Sequence, residues 1–193
     1  MYKVIGKTQT RAFRVLWALE EMGVAYTQVA AGPGSDEAKA FNPSGKIPAL
    51  EVDGTVLTDS VAIMSYLADV EGQLTFPAGT VERAQLDALL HRLNDEFDAP
   101  LWAAIKHERI LPEDLRVPAI LPALKWDFQR SIDRLEADFK GPFLMGETMT
   151  IADILAVHCL NWAHAMKFPV GETLKAYTKS LRSRDAFLRA AAR

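Results

Sequence analysis

The chain is nearly devoid of cysteine. Cys159 is the only one, so no disulfide can close within the chain, which fits a reducing compartment. A dominant sign of charge is also missing. The 22 basic and 25 acidic residues leave a formal net charge of −3, and this gives no electrostatic case for a nucleic-acid partner. Nothing approaches the roughly 18 uninterrupted apolar residues of a membrane span. The N-terminal MYKVIGKTQTRAFRV has no apolar h-region of the kind a secretory signal carries. Repeats and low-complexity tracts are absent. The four histidines, His91, His107, His158 and His164, do not form a tight ligand cluster, and the last two are six apart, off the i, i+4 spacing of a helical metal pair. These absences predict a cytoplasmic protein with no metal and no nucleic-acid or membrane partner.

What remains is ordinary globular material, 193 residues with 49% hydrophobic and 24% charged. That is enough for one large or two small domains. YKVIG at 2–6 is a short strand. RAFRVLWALEEMG then shows helical spacing, with Phe13, Leu16, Trp17 and Glu20 on one stripe and Val15, Leu19 and Met22 on a second; Gly23 suits the position just past a helix end. AYTQVA at 25–30 reads as a second strand, and Ser35 or Asp36 can cap a short helix. ALEV and TVLT flank Asp53-Gly54, a strong hairpin signal. DSVAIMSYLADVEG closes the first 75 residues as a helix. The glycine- and proline-bearing stretch 72–80 reads as a linker. Beyond it strand signals nearly vanish. The stretch 81–109 reads as a long helix bent near Pro100, helices follow at 123–139 and 151–166, and the tail from Glu172 forms two short ones. The basic excess of that tail reads as a solvated face. Thr150 and Asp153 form a variant capping box with Met149 and Ile154 at the staple positions, a folding device.

One segment resists this reading. In NPSGKIPALEVDG, Pro48 stands where a strand should begin, although proline has no N–H to give a sheet. Two readings stand. Pro48 is an ordinary first residue of a strand, or the backbone at Ile47 is turned away from the sheet for a partner outside the protein.

An α/β segment of about 75 residues, a short linker and an all-helical segment, with NPSGKIPALEVDGTVLTDSVAIMSYLA inside the first and TIAD at 150–153 in the last, resembles the cytosolic glutathione transferases of bacterial type over the full length. The resemblance implies a thioredoxin-like N-terminal domain over 1–75, a linker over 72–80 and an all-α domain over 81–193. It implies a cis bond before Pro48, with the N–H and C=O of Ile47 pairing with the cysteinyl backbone of glutathione by β-augmentation. Ser60 and the start of its helix would take the γ-glutamyl carboxylate, and Asp59 could hold the ammonium group; both also read as plain helix caps. Lys46 reads equally as a solvent lysine or as the partner of the glycyl carboxylate. Glutathione enters as a co-substrate, and a homodimer is implied.

Family chemistry places a hydroxyl or thiol near the glutathione sulfur, at the end of the first strand. KTQTRAFRV offers neither serine nor cysteine, and Tyr2 comes too early. Thr10 matches a serine of related motifs, where SRSFRVLW stands for TRAFRVLW. Thr8 is the fallback, and Arg11 would add positive potential. Thr10 reads equally as an N-cap. Phe97, Trp102, Lys106 and His107 are the candidates for a second-substrate pocket. The expected activity is attack of the glutathione thiolate on a small hydrophobic electrophile, by conjugation, peroxide reduction or isomerisation. The alternative is a non-catalytic glutathione-binding or structural protein that keeps the fold.

Overall fold

The computed structural model describes all 193 residues. Packing groups them into two compact units, residues 1–83 with 181–193, and residues 84–180.

The first unit holds a four-stranded sheet. β1 (Tyr2–Ile5), α1 (Ala12–Met22) and β2 (Tyr26–Val29) form a parallel β–α–β unit, followed by the single turn α2 (Asp36–Lys39). β3 (Ala49–Val52) runs antiparallel to β1, and β4 (Thr55–Thr58) antiparallel to β3, giving the order β2-β1-β3-β4. The Asp53-Gly54 signal holds. Both residues have positive φ, 49° and 81°, which a type I′ hairpin turn requires and which glycine adopts without penalty. α3 (Ser60–Glu71) returns along the sheet. Apolar side chains at helical spacing on α1 account for its burial: Val15, Leu16, Trp17 and Leu19 are fully enclosed.

The sequence-based division assigns residues 181–193 to the helical domain, whereas their contacts place them with the sheet. The reason is aromatic. Phe187, on α9 (Asp185–Ala191), stacks edge-on against Phe13 and Trp17 of α1, each at 5.0 Å between centroids. The basic tail is an exposed face, as expected, and three of its arginines also make ion pairs there. Arg184 pairs with Glu21 at 2.7 Å, and Arg189 and Arg193 pair with Glu20 at 2.8 and 3.1 Å. Tyr26 donates its hydroxyl to Glu20 at 2.9 Å, and burial, then that carboxylate, push its pKa up to about 12.

The second unit is helical. α4 (Val81–Leu93) begins at the boundary and passes through a π-helical turn at Asn94–Asp98 into α5 (Ala99–Ile105) and a second such turn at Lys106–Ile110. The bend expected at Pro100 thus takes the form of wider turns, which absorb the ladder that proline interrupts. α6 (Leu121–Asp138) and α7 (Ile151–Ala165) follow, with α8 (Glu172–Arg182) before the tail. Phe97, Phe128 and Phe168 stack edge to face at 5.3 and 5.2 Å in this unit's core. The Thr150–Asp153 capping box forms at the start of α7, and Tyr177 of α8 donates to Asp153 at 2.7 Å. Burial, then the Asp153 charge, hold the Tyr177 hydroxyl well above its ordinary pKa.

Candidate functional site

The first unit brings three of the expected pieces to the ends of its elements. The loop before β3 is organised by Asn42. Its carboxamide oxygen accepts from the N–H and the hydroxyl of Ser44, at 3.2 and 2.9 Å, and its Nδ2 donates to the Lys46 carbonyl at 2.9 Å. The Ser44 hydroxyl in turn accepts from the Lys46 N–H at 3.3 Å. Both main-chain groups of Lys46 are therefore held from within, while its ammonium stands in solvent. The next peptide bond, Ile47–Pro48, is cis. The N–H and C=O of Ile47 make no hydrogen bond inside the protein. Gly6, just past β1, keeps this region tight: at φ 142°, a methyl there would come within 2.7 Å of the Ala12 Cβ and 3.3 Å of the Ile47 Cβ.

The second piece is the start of α3. Asp59 caps it, with Oδ1 accepting from the N–H groups of Val61 and Ala62 at 2.9 and 3.1 Å. Its φ of 70° with ψ of 125° is a strained backbone for a non-glycine residue, costing roughly 1–3 kcal/mol. The caps consume two donors of the first turn, so the donors left are the N–H and the hydroxyl of Ser60. Ser60 is 3% exposed, and its Oγ accepts from Arg14 Nη1 at 3.1 Å. Arg14 lies on the inner face of α1, 1% exposed. A charged residue in an apolar helical run gave no functional signal from spacing alone, so the sequence reading missed it.

The third piece is the KTQT loop. Thr10 Oγ1 donates to the Lys7 carbonyl at 2.7 Å and accepts from the Ala12 N–H at 3.2 Å. This is a turn leading into α1, whose N-cap is Arg11 with no side-chain cap bond; Thr10, one residue earlier, accepts from the first N–H of the helix. Thr8 Oγ1 donates to the Arg193 carbonyl at 3.1 Å and accepts from Gln28 at 3.5 Å. Each hydroxyl proton thus has a protein acceptor already. Arg11 follows in the same loop, half-buried.

The remaining candidates lie in the second unit. Phe97 is 1% exposed and stacked on Phe128, so it is core and not pocket lining; helical spacing alone does not separate the two. Trp102 is 37% exposed, with the Lys106 ammonium 5.9 Å from its ring centroid. His107 Nδ1 accepts from the Val117 N–H at 3.2 Å, tying down the proline-rich stretch that follows. The histidines belong to no group of three side chains able to hold a metal, and no helix is long and apolar enough to cross a membrane.

Comparison with known proteins agrees with this architecture. The model described as glutathione S-transferase, N-terminal domain, matches residues 10–70, and that described as glutathione S-transferase, C-terminal domain, matches residues 120–185. Glutathione S-transferase GstA of Escherichia coli O157:H7 is 32% identical over 135 residues, 68% of this chain and 64% of GstA. Maleylacetoacetate isomerase of Rhizobium meliloti (strain 1021) is 38% identical over 84 residues, 40% of this chain and 39% of the isomerase. The chain thus aligns to less than two thirds of the length of either relative. A solved theta class glutathione S-transferase from Xanthomonas axonopodis pv. citri, with glutathione bound, superposes with a TM-score of 0.79 at 26% identity, covering 98% of this chain and 96% of that one. Sheet topology and helical second unit define a thioredoxin-like protein with an appended all-α region. The chain belongs to the glutathione S-transferase family.

Proposed function

We propose that the chain binds glutathione along Ile47 and the start of α3 and activates its thiol for attack on a small hydrophobic electrophile. The observation that carries this reading is the main chain of Ile47, which offers an N–H and a C=O with no partner in the protein. A peptide laid alongside pairs with both as an added strand. The Ser60 N–H and hydroxyl meet the γ-glutamyl carboxylate, the second oxygen of Asp59 faces the ammonium group, and Lys46 takes the glycyl carboxylate.

For the chemistry, the thiol loses its proton to solvent and the thiolate is held by a donor. Lowering a thiol pKa by about 2 units takes about 2.7 kcal/mol of differential stabilisation. Thr10 supplies part of this by rotating its O–H from the Lys7 carbonyl to the sulfur, exchanging a neutral hydrogen bond for a charge-assisted one. The start of α1 and Arg11 add positive potential. The thiolate then forms a C–S bond with the electrophilic carbon; in conjugation a leaving group departs with the bonding pair, and in isomerisation the adduct rotates and expels the thiolate. Trp102, Lys106 and His107 are the helical candidates for contact with this second substrate. The protein works as a cytoplasmic homodimer in this reading.

A second reading has its own support. The Thr10 proton is committed at 2.7 Å to Lys7, which favours a protein that binds glutathione without turning it over. Calorimetry with glutathione, run beside an activity panel of electrophiles and peroxides on the wild type and Thr10→Ala, separates the two. Turnover that falls at least tenfold in Thr10→Ala, with affinity kept, supports the enzyme. Binding with no turnover across the panel supports the second reading, and no binding removes both.

A further inference from the structure

We propose that Arg14 is a positioning residue for glutathione, one that fixes the Ser60 hydroxyl as a donor and sets a buried positive charge beneath the site of the γ-glutamyl carboxylate. The proposal rests on the glutathione reading above and adds to it a residue that touches no ligand atom.

The argument starts from what each group can do. A guanidinium has donors only, and a serine hydroxyl has one proton and two lone pairs. Arg14 Nη1 donates to Ser60 Oγ at 3.1 Å, so one lone pair of Oγ is used and the hydroxyl proton cannot point back at Arg14. The same turn of α3 has lost the N–H groups of Val61 and Ala62 to Asp59. What it still offers an anion is the Ser60 N–H and this hydroxyl, both on one residue. The chain of bonds from guanidinium to hydroxyl to carboxylate is charge-assisted at both ends, and each link polarises the next.

Burial sharpens the effect. Arg14 and Ser60 are 1% and 3% exposed, so water screens the Arg14 charge little and its field acts on the carboxylate at low effective dielectric. A neutral residue of the same length would fill the space between α1 and α3 but would neither orient the hydroxyl nor supply the charge. A purely structural arginine predicts uniform loss of all ligands; a positioning arginine predicts loss only of those that carry the γ-glutamyl group.

The test compares glutathione with cysteinylglycine, which lacks that group, by NMR titration, a method that reads millimolar affinities. Arg14→Met is expected to weaken glutathione by about 10-fold or more, the scale of one hydrogen bond to a charged group, with less than about a twofold change for cysteinylglycine. Arg14→Lys keeps the charge and is expected to fall between Arg14→Met and the wild type. In a Ser60→Ala background, Arg14→Met is expected to cost clearly less than it does alone, because the bond it breaks is already gone and only the field of the charge is left to lose. Equal weakening of both ligands, no weakening of glutathione, or full additivity with Ser60→Ala overturns the proposal. Should Arg14→Met fail to fold, the wild-type protein decides: the Arg14 guanidinium nitrogen resonances shift on adding glutathione and stay put on adding cysteinylglycine, and their failure to shift with glutathione overturns it. A wild type that binds no glutathione is a different result, which removes the glutathione reading itself.

Discussion

Replacing Asp153 by alanine should cost the second unit much of its stability and leave the glutathione affinity of the folded protein unchanged. Asp153 is fully buried. Its Oδ1 accepts from the Leu144 N–H at 2.9 Å and the Tyr177 hydroxyl at 2.7 Å, and its Oδ2 accepts from the N–H and hydroxyl of Thr150 at 2.8 and 3.3 Å. Alanine removes all four acceptor contacts. The Thr150 hydroxyl can turn to another acceptor, but the two N–H groups and the Tyr177 hydroxyl are left without one. An orphaned buried donor costs roughly 1–3 kcal/mol; three of them near the low end of that range, as the site relaxes, give an expected loss of roughly 3–5 kcal/mol. Against a typical total of about 5–15 kcal/mol that is a large share. Tyr177→Phe removes one donor and orphans none, so its cost should be nearer 1 kcal/mol. The assay is guanidinium denaturation followed by far-UV circular dichroism, with calorimetry of glutathione on the folded protein. A loss below about 1 kcal/mol for Asp153→Ala would refute the capping argument; a drop in affinity would refute the assignment of Asp153 to folding alone.

Four further outcomes are expected. Burial works against ionisation of Glu20, yet donors from Arg189, Tyr26 and Arg193 outweigh it and hold its carboxyl below the usual range. The contribution of Glu20 to anchoring α9 is therefore complete above the unfolded-state value of about 4.3 and is lost as pH falls further through the folded value; amide protection factors in α9, corrected for the slower intrinsic exchange in acid, that do not fall below that point would count against it. Gly6→Ala should push Ala12 and Ile47 apart and weaken glutathione binding, since its methyl meets both; unchanged affinity by calorimetry would show the loop to be more tolerant than its packing suggests. Gly171→Ala should destabilise α8, because the new methyl would overlap the Glu136 carboxylate, which caps that helix by accepting from the N–H groups of Thr173 and Leu174 at 3.0 and 3.2 Å. The expected loss is about 1–2 kcal/mol, read as a lower denaturation midpoint. Thr10→Ser, which keeps both hydrogen bonds of the loop, should retain thermal stability, whereas Thr10→Ala should lose about 1 kcal/mol; equal midpoints for the two would contradict a stabilising role for those bonds.

The sheet was legible because its signals are local. Asp53-Gly54 can hardly be anything but a hairpin turn, and the apolar stripes on α1 follow the helical period. The α7 capping box was legible for the same reason, as Thr150 and Asp153 lie three apart. What escaped was set by contacts distant in sequence. Phe187 joins the first unit through Phe13 and Trp17, far back along the chain, and no spacing within the tail announces that. Arg184, Arg189 and Arg193 are solvated charge, as their composition suggests, but their pairing with Glu20 and Glu21 of α1 has no mark in the tail's own sequence. Phe97 has the spacing of a pocket residue and of a core residue alike, and only Phe128 and Phe168 decide between them. In the candidate site, Lys46, Ile47, Pro48, Asp59 and Ser60 stood out through a motif, but the Arg14 bond to Ser60 joins two helices and leaves no trace in either one's pattern. The hydroxyls of Thr8 and Thr10 could be found in the sequence; the carbonyls that accept from them could not.

A crystal structure of the protein with glutathione tests the central claim most directly. The cysteinyl main chain should lie antiparallel to residues 46–48, hydrogen-bonded to both the N–H and the C=O of Ile47, with the γ-glutamyl carboxylate on Ser60. Glutathione bound elsewhere, or those two groups of Ile47 left facing solvent in the complex, would contradict it.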